Sequence, residues 1–144
     1  MKRTTLTLVV VILITAIVAG MLLVNWAWNE EPKLYTYPVS VNDKTYTITV
    51  LTNWTSAPEV YLPEFDTNYV CVDFRGPERA MVFFNITIPA DLIGGNISLV
   101  WKYYEQNTDR YTISNNGTHQ SIQMTFYHTA SVEHFEIRGT EGVS

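Results

Sequence analysis

An uncharged apolar run near the amino terminus constrains this 144-residue chain more than any other feature. Residues 6–28 contain no charged side chain, with Lys2 and Arg3 before them and two glutamates after them. As an α-helix, this run reaches about 34 Å, enough to cross a hydrocarbon core of about 30 Å. The positive-inside rule then places residues 1–5 in the cytoplasm and the rest of the chain outside. The sequence therefore predicts a transmembrane signal anchor followed by an exported domain.

A cleaved signal peptide is the alternative interpretation of the same run. Val18-Ala19-Gly20 could serve as a cleavage site, but apolar residues continue through Met21, Leu22, Leu23 and Val24. The apolar region of a signal peptide usually covers only about 7 to 15 residues. The length of the run therefore favours an uncleaved anchor, and both alternatives export the remainder of the chain.

The exported segment is acidic and contains a single cysteine. Seven of the nine Lys and Arg residues lie in it, against all fourteen Asp and Glu residues. A nucleic-acid-binding surface needs clustered positive charge to neutralise phosphates, so that class is excluded. Cys71 alone can form neither an intramolecular disulfide nor a Cys-based zinc site. We expect it to be a partly exposed, inert thiol.

Apolar and polar residues alternate with a period of two through most of the exported segment, which is typical of half-buried strands. The pattern predicts a hairpin made of strands 34–41 and 44–52 and one short helical turn at 89–95. It also predicts six further strands, at 70–74, 80–88, 97–104, 109–114, 120–128 and 132–138. Eight or nine short strands predict an all-β fold, an antiparallel Ig-like β-sandwich. We place the sandwich at 41–140, after a juxtamembrane linker and first strand at 29–40 and before a tail at 141–144.

Four N-x-S/T triplets are candidate glycosylation sites. Their asparagines are Asn53, Asn85, Asn96 and Asn116. Three of them fall in predicted turns. Asn85 lies in a predicted strand, where its side chain should point to the face opposite that of its apolar neighbours and therefore to solvent. The alternative is that Asn and Thr are simply abundant in a β-rich chain.

Four stretches of the exported segment carry motifs in a distinctive order. They are 45–53, 84–95 with Asn-Ile-Thr-Ile-Pro-Ala-Asp-Leu, 116–122 with a Thr-His pair, and 126–128 followed by 135–140, which ends in Glu-Ile-Arg-Gly-Thr. In this order, residues 41–140 resemble a β-sandwich module widespread in archaeal secreted and surface-layer-associated proteins. The resemblance implies a surface-exposed structural or interaction role rather than a reaction. The chain departs from it in having no Pro-rich segment after Thr140 and in following the apolar run almost directly, which indicates a minimal tethered version.

Histidines are the candidate metal ligands. His128 and His134 bracket the last predicted turn and could approach each other, whereas the third, His119, stands apart. No HxH or HExxH spacing places two ligands on one face, so strand-end histidines without metal are the favoured alternative. Asn107, Asp109 and the Asn115-Asn116 pair are too sparse for a calcium loop. The sequence also lacks nucleophile-elbow, P-loop and dinucleotide-binding motifs, and we expect no cofactor.

Aromatic residues near loops are the candidate ligand contacts. Trp54, Tyr61, Tyr69 and Trp101 could stack on sugar rings or enter a partner's pockets. The favoured interpretation is nevertheless that they belong to the sandwich core, where large aromatic side chains are common.

These observations predict a membrane-anchored cell-surface β-sandwich with a non-catalytic role in envelope structure or in protein or glycan interaction. The first alternative is a carbohydrate- or small-ligand-binding module that uses the exposed aromatics. The second is a metal-handling or hydrolytic ectoprotein that uses the histidines. The expected partners are the lipid bilayer through residues 6–28, neighbouring envelope proteins, glycans, or another copy bound at an open sheet edge.

Overall fold

A computed structural model describes residues 31–63, 68–76, 79–101, 104–105 and 110–141. Nearly all of them belong to one compact unit, Pro32–Ser144. The predicted anchor at 6–28 lies outside the described residues, as do Asn107 and Asp109, two of the residues too sparse for a calcium loop. No helix in the described ranges has the length and hydropathy needed to cross a membrane.

The described residues form ten β-strands. In chain order they are β1 (Lys33–Val41), β2 (Lys44–Thr52), β3 (Glu59–Tyr61), β4 (Tyr69–Arg75), β5 (Met81–Pro89), β6 (Gly94–Trp101), β7 (Tyr104–Glu105), β8 (Tyr111–Asn115), β9 (His119–Tyr127) and β10 (Val132–Glu141). They pair into two five-stranded antiparallel sheets. The first sheet has the order β1-β2-β5-β9-β8 and the second has the order β3-β4-β10-β6-β7.

The two sheets pack with their apolar faces together, which confirms the predicted all-β sandwich. Each long strand alternates buried and more exposed residues because successive side chains point to opposite faces of a sheet. In β5, for example, Val82, Phe84, Ile86 and Ile88 are all buried. The core cluster draws its buried side chains from both sheets.

Aromatic rings join the two sheets at the centre of the core. The rings of Phe84 in the first sheet and Phe135 in the second have centroids 5.1 Å apart. Phe126 of the first sheet lies 4.8 Å from Phe135, and Phe74 of the second lies 5.4 Å from Phe84. Each buried ring contributes about 2 kcal/mol by removal of apolar area from water. Because these contacts run between sheets, they hold the two layers together as well as filling the core.

The first hairpin agrees closely with its predicted position. Asn42 and Asp43 form the two-residue turn with φ angles of 49° and 63°. Two consecutive positive φ values are characteristic of a type I′ turn, in which Asn and Asp are among the best-tolerated residues. The register runs from the pair Val41 and Lys44 to the pair Lys33 and Thr52.

Two side-chain contacts attach this hairpin to the rest of the domain. The Tyr37 hydroxyl donates a hydrogen bond to the carbonyl oxygen of Pro58 at 2.5 Å, and burial raises the pKa of Tyr37 to about 12. Lys44 forms an ion pair with Asp91 in the connection between β5 and β6. Their hydrogen bond lowers the pKa of the Asp91 carboxyl and raises that of the Lys44 ammonium.

Three local predictions differ from the structure. The short strand β3 was not predicted, because three residues are too few to show a periodic pattern. The predicted segment 89–95 does contain a hydrogen-bonded turn, from the Leu92 amide to the Pro89 carbonyl at 3.0 Å, but the turn is shorter than predicted, because β5 ends at Pro89 and β6 begins at Gly94. Asn96 therefore lies in a strand and not in a turn. Pairing with the end of β10 extends β6 toward the turn.

Gly139 lies where β10 approaches both β6 and the start of β4. Its amide donates to the Asn68 carbonyl at 2.9 Å, and its own carbonyl accepts a hydrogen bond from the Asn68 side-chain amide at 2.9 Å. A Cβ at this position would stand 2.6 Å from the Gly94 carbonyl oxygen. Only glycine fits between these backbones, next to a register shift in the pairing of β10 with β6.

We expect Gly139→Ala to lower the free energy of unfolding by about 3 kcal/mol, because the added methyl group meets backbone that cannot rotate away. Gly117→Ala is the control. Gly117 has a φ of 89° and no atom within 4 Å of its hypothetical Cβ, so its substitution should cost only backbone strain of about 1 kcal/mol. Chemical denaturation of both variants tests the difference, and equal losses would contradict the close approach.

Candidate functional site

The outward-facing side of the first sheet is lined with hydroxyl groups, and we call it the hydroxyl face. Strand register places five hydroxyl side chains in one row across all five strands, in the order Thr36, Thr49, Thr87, Ser121 and Ser114. The Thr87 and Ser121 hydroxyl oxygens are 3.0 Å apart, within hydrogen-bonding distance. Further outward-facing hydroxyls flank this row at Ser40, Thr45, Thr47, Thr112 and Thr125.

The hydroxyl face carries no Asp, Glu, Lys or Arg among its described outward-facing residues. Leu34, Leu51, Asn85 and Gln123 form the next row across four of its strands. Such a surface offers many neutral hydrogen-bond donors and acceptors beside the exposed apolar side chains of Leu34, Met81 and Tyr127. It therefore suits an uncharged polar partner, such as a neutral glycan or another neutral protein surface, better than a charged polymer.

The outer side of the second sheet has the opposite character, because it carries a connected series of ion pairs. Arg75 contacts Glu59 at 2.8 Å and Asp73 at 3.2 Å. Farther along the sheet, Arg138 contacts Glu136 at 2.5 Å. We call this side the ion-pair face. Its charges are largely matched within the face, so it presents little net field to a partner.

His134 joins the two halves of the ion-pair face. Its Nδ1 lies 2.5 Å from an oxygen of Asp73, and its Nε2 lies 3.4 Å from an oxygen of Glu136. The two ring nitrogens point in different directions, so the two carboxylates and the imidazole cannot converge on one ion. Across the described ranges, no three His, Cys, Asp or Glu side chains are grouped to hold a metal.

His128 lies in the core and not beside His134. Its side chain is fully buried, its ring stacks on Trp54 with centroids 4.4 Å apart, and its Nε2 is 3.2 Å from the carbonyl oxygen of Phe74. His134, in contrast, occupies the outer side of β10, on the parity opposite to buried Phe135. The two histidines, which could have approached each other across the last turn, therefore lie on opposite sides of the second sheet, with His128 in the core as its strand parity indicates. The third histidine, His119, is exposed and contacts the Thr118 hydroxyl.

The four candidate aromatic contacts do not form one site. Trp54 is only 3% exposed, and its indole N–H donates to the Arg75 carbonyl at 3.1 Å, so it belongs to the core, as the favoured interpretation expects, and is not an exposed contact. Trp101 is half-buried against the core and stacks on Phe135. Tyr69 lies under the Arg138 guanidinium, 5.6 Å from its ring centroid. Of the four, Tyr61 alone is broadly exposed, at 41%.

Cys71 lies beneath Tyr61 on the ion-pair face. It is 3% exposed, which corrects the expectation of a partly exposed thiol. Burial raises the pKa of the Cys71 thiol to about 11, although a hydrogen bond with Tyr61 acts in the other direction. Because the thiolate is the reactive form, a thiol with this pKa is unreactive near neutral pH.

The four candidate glycosylation asparagines have different surroundings. Asn53 is half-buried, and its side chain continues the pairing of β2 with β5: its Oδ1 accepts the Phe83 amide at 2.7 Å and its Nδ2 donates to the Met81 carbonyl at 3.4 Å. Asn85 faces outward as expected but is half-buried in the hydroxyl face, with a buried Oδ1 that accepts no hydrogen bond from the described residues. Neither side chain projects freely.

Asn96 and Asn116 are exposed. Asn116 lies in the predicted turn between β8 and β9. Its Oδ1 accepts hydrogen bonds from the Thr118 amide at 3.1 Å, the Thr118 hydroxyl at 3.0 Å and the His119 amide at 2.8 Å. These bonds orient the side chain through its oxygen, and in the described part of the chain none engages Nδ2, the atom that would carry a glycan.

Glu133 is a buried carboxyl that sequence reasoning missed. One oxygen accepts hydrogen bonds from the Thr129 amide, the Thr129 hydroxyl and the Ala130 amide at 3.0–3.3 Å. The other accepts the Trp101 indole N–H at 2.9 Å. Glu133 therefore orders the connection between β9 and β10 and ties it to β6. The sequence did contain a signal for this role, because Glu133 has the same inward strand parity as Phe135. An acidic residue at such a core position needs several hydrogen-bond donors around it.

We expect Glu133→Gln to lower the free energy of unfolding by about 2 kcal/mol. Either orientation of the amide sets an N–H group against a donor, from Trp101 or from the turn at Thr129. Glu59→Gln is the control, because Glu59 lies on the exposed ion-pair face and its loss should cost less than about 1 kcal/mol. Urea denaturation compares the two, and equal effects would contradict the organising role.

No family model, curated protein sequence or solved structure matches this chain. The surfaces of the domain therefore carry the functional argument.

Proposed function

We propose that the chain is a membrane-anchored cell-surface β-sandwich with a non-catalytic contact role in the cell envelope. The observation that supports this proposal most directly is the hydroxyl face, which extends across all five strands of the first sheet and has no Asp, Glu, Lys or Arg among its described outward-facing residues. Neutral envelope glycans and neutral protein surfaces are the partners that this chemistry suits. The finer fold assignment is part of the same proposal: the sandwich is Ig-like and follows a transmembrane helix at residues 6–28.

The location outside the cell rests on the apolar run and on the charge before it. The length of that run supports retention as an anchor. The resemblance of residues 41–140 to the archaeal surface module supports the same location and the same kind of role. Together these features make the sandwich a small domain held close to the membrane, with its work done by contact.

The two alternative functions have less support. A ligand site built from exposed aromatics loses Trp54, which is buried, and Trp101, which packs against the core. A metal-handling or hydrolytic site loses His128 to the core, and His134 is occupied by Asp73 and Glu136 on either side of its ring.

Charges placed on the hydroxyl face test the proposed contact. We expect Thr49→Glu together with Thr87→Glu to reduce the cross-linking of the full-length chain to its envelope neighbours about tenfold, because a neutral partner would have to desolvate the new carboxylates. The matched control is Ser98→Glu on the ion-pair face, where Arg138 is the neighbouring residue on β10. Cross-linking in intact cells, followed by mass spectrometry, measures the loss. Unchanged neighbours for the double variant would contradict the role of this face.

Glycans on the sandwich would follow from the same location, and the surroundings of the asparagines select among the four sites. We expect modification at Asn96 and Asn116, whose side chains are exposed, and none at Asn53 or Asn85, whose amides are half-buried. Each Asn→Gln variant of the full-length chain is compared by gel mobility and intact mass. Loss of a glycan with Asn96→Gln and Asn116→Gln alone is the expected result. Four bare asparagines, in cells that glycosylate other exported proteins, would contradict the external location.

A further inference from the structure

The open edges of the two sheets differ in how well they are protected against pairing with another strand. An edge strand presents unpaired backbone N–H and C=O groups that can accept a strand from another chain. In the second sheet, both edge strands are short: β3 has three residues and β7 has two. In the first sheet, the edges are β1 and β8, with nine and five residues. The first sheet therefore has the edges that could bind a partner strand.

A proline protects the β1 edge. In a two-residue hairpin, the residues flanking the turn form a hydrogen-bonded pair, and this pairing recurs at every second residue. Val41 flanks the turn, so the backbone groups of Leu34, Thr36, Pro38 and Ser40 point away from β2. Pro38 has no N–H and occupies a central position of that outward series. An incoming strand would lose a hydrogen bond in the middle of the ladder.

The β8 edge has no such protection. The Asn116 amide donates to the His119 carbonyl at 3.1 Å, which makes these two residues a hydrogen-bonded pair. Hydrogen-bonded pairs recur at every second residue of an antiparallel ladder, so the backbone groups of Ser114 and Thr112 also point toward β9. The backbone groups of Tyr111, Ile113 and Asn115 therefore point outward. The strand contains neither proline nor a charged residue.

An exposed apolar side chain lies at the centre of this edge. Ile113 is 40% exposed although it has the inward parity of its partner Ile122, which is fully buried. Among the described strands, β8 is the last of the first sheet, so none of them covers the outer flank of Ile113. The β8 edge thus combines unpaired backbone groups with an apolar side chain at the border of the core.

We propose that β8 pairs antiparallel with β8 of a second copy of this chain, about a two-fold axis at Ile113. The residues with outward-pointing backbone groups are Tyr111, Ile113 and Asn115, and Ile113 is the middle one. A two-fold axis at Ile113 therefore pairs Ile113 with Ile113 of the second copy. Tyr111 pairs with Asn115 of the second copy, and Asn115 with Tyr111. Every outward N–H and C=O group of the strand then meets a complementary group, because hydrogen-bonded positions in an antiparallel pair recur at every second residue.

The same arrangement covers the exposed Ile113 side chain with the Ile113 of the second copy on the inward side of the joined sheet. It also limits the assembly to two copies, because the other edge of this sheet carries Pro38. A two-fold axis perpendicular to the sheet leaves both hydroxyl faces on one side, as a single continuous surface of ten strands. The pairing concerns the β8 edge alone and does not depend on the proposed envelope role.

Cysteine cross-linking of the full-length chain in mild detergent tests this register. In a hydrogen-bonded antiparallel pair, Cα atoms are about 5.5 Å apart, which a disulfide can span. In a Cys71→Ala background, we expect Ile113→Cys to form a disulfide-linked homodimer at least about tenfold more than Thr36→Cys. The matched control, Thr36→Cys, places its thiol on the β1 edge, where the backbone also points outward.

Light scattering provides an independent readout, with far-UV circular dichroism to verify folding. We expect Ile113→Lys to shift the full-length chain from dimer to monomer and Thr36→Lys to leave it a dimer, since a lysine on the paired edge opposes strand addition. Three results would each overturn the proposal: a monomer at every soluble concentration, equal cross-linking of Ile113→Cys and Thr36→Cys, or cross-linking of Ile113→Cys only to a different protein.

Discussion

The burial of two apolar sheet faces against each other is the constraint on which the rest of this structure depends. With one cysteine, the chain forms no intramolecular disulfide, so the layers are held by side-chain packing. The rings of Phe74, Phe84, Phe126 and Phe135 meet between the sheets. This contact dictates the parity of every long strand, because a shift of one residue would turn the apolar set outward.

Once that parity is set, the outer faces acquire their character from the residues left over. On the first sheet, these residues are mainly Thr and Ser, and they form the hydroxyl face. On the second sheet, they include Glu59, Asp73, Arg75, Glu136 and Arg138, and these charged side chains are linked to one another through His134. The described part of the domain therefore has one neutral outer face and one outer face whose charges are largely matched internally. The two edges of the first sheet also differ from each other: Pro38 protects the β1 edge against strand addition, whereas the β8 edge has no such protection.

Polar groups inside the sandwich are satisfied by particular donors and acceptors. Glu133 receives hydrogen bonds from the turn after β9 and from Trp101, and the Trp54 indole is bonded to the Arg75 carbonyl. These bonds lie near the ends of strands, where chain connections would otherwise leave buried polar groups without partners. They explain why Glu133 and Trp54, whose residue types often bind ligands, stabilise the core in this protein.

The sequence by itself determined the all-β class, the hairpin turn at Asn42-Asp43 and the inward parity of the long strands, because a period of two is a local property of the chain. It also placed Asn116 in a turn and His128 on the core side of its strand. The anchor at 6–28 and the external location stay predictions. Tertiary structure alone decided which strands became neighbours. The choice of neighbours in turn produced the row of hydroxyls from Thr36 to Ser114, the burial of Trp54 and Cys71, and the separation of His128 from His134. Each of these depends on contacts between residues far apart in the chain, and periodicity within one strand carries no information about which strand lies beside it.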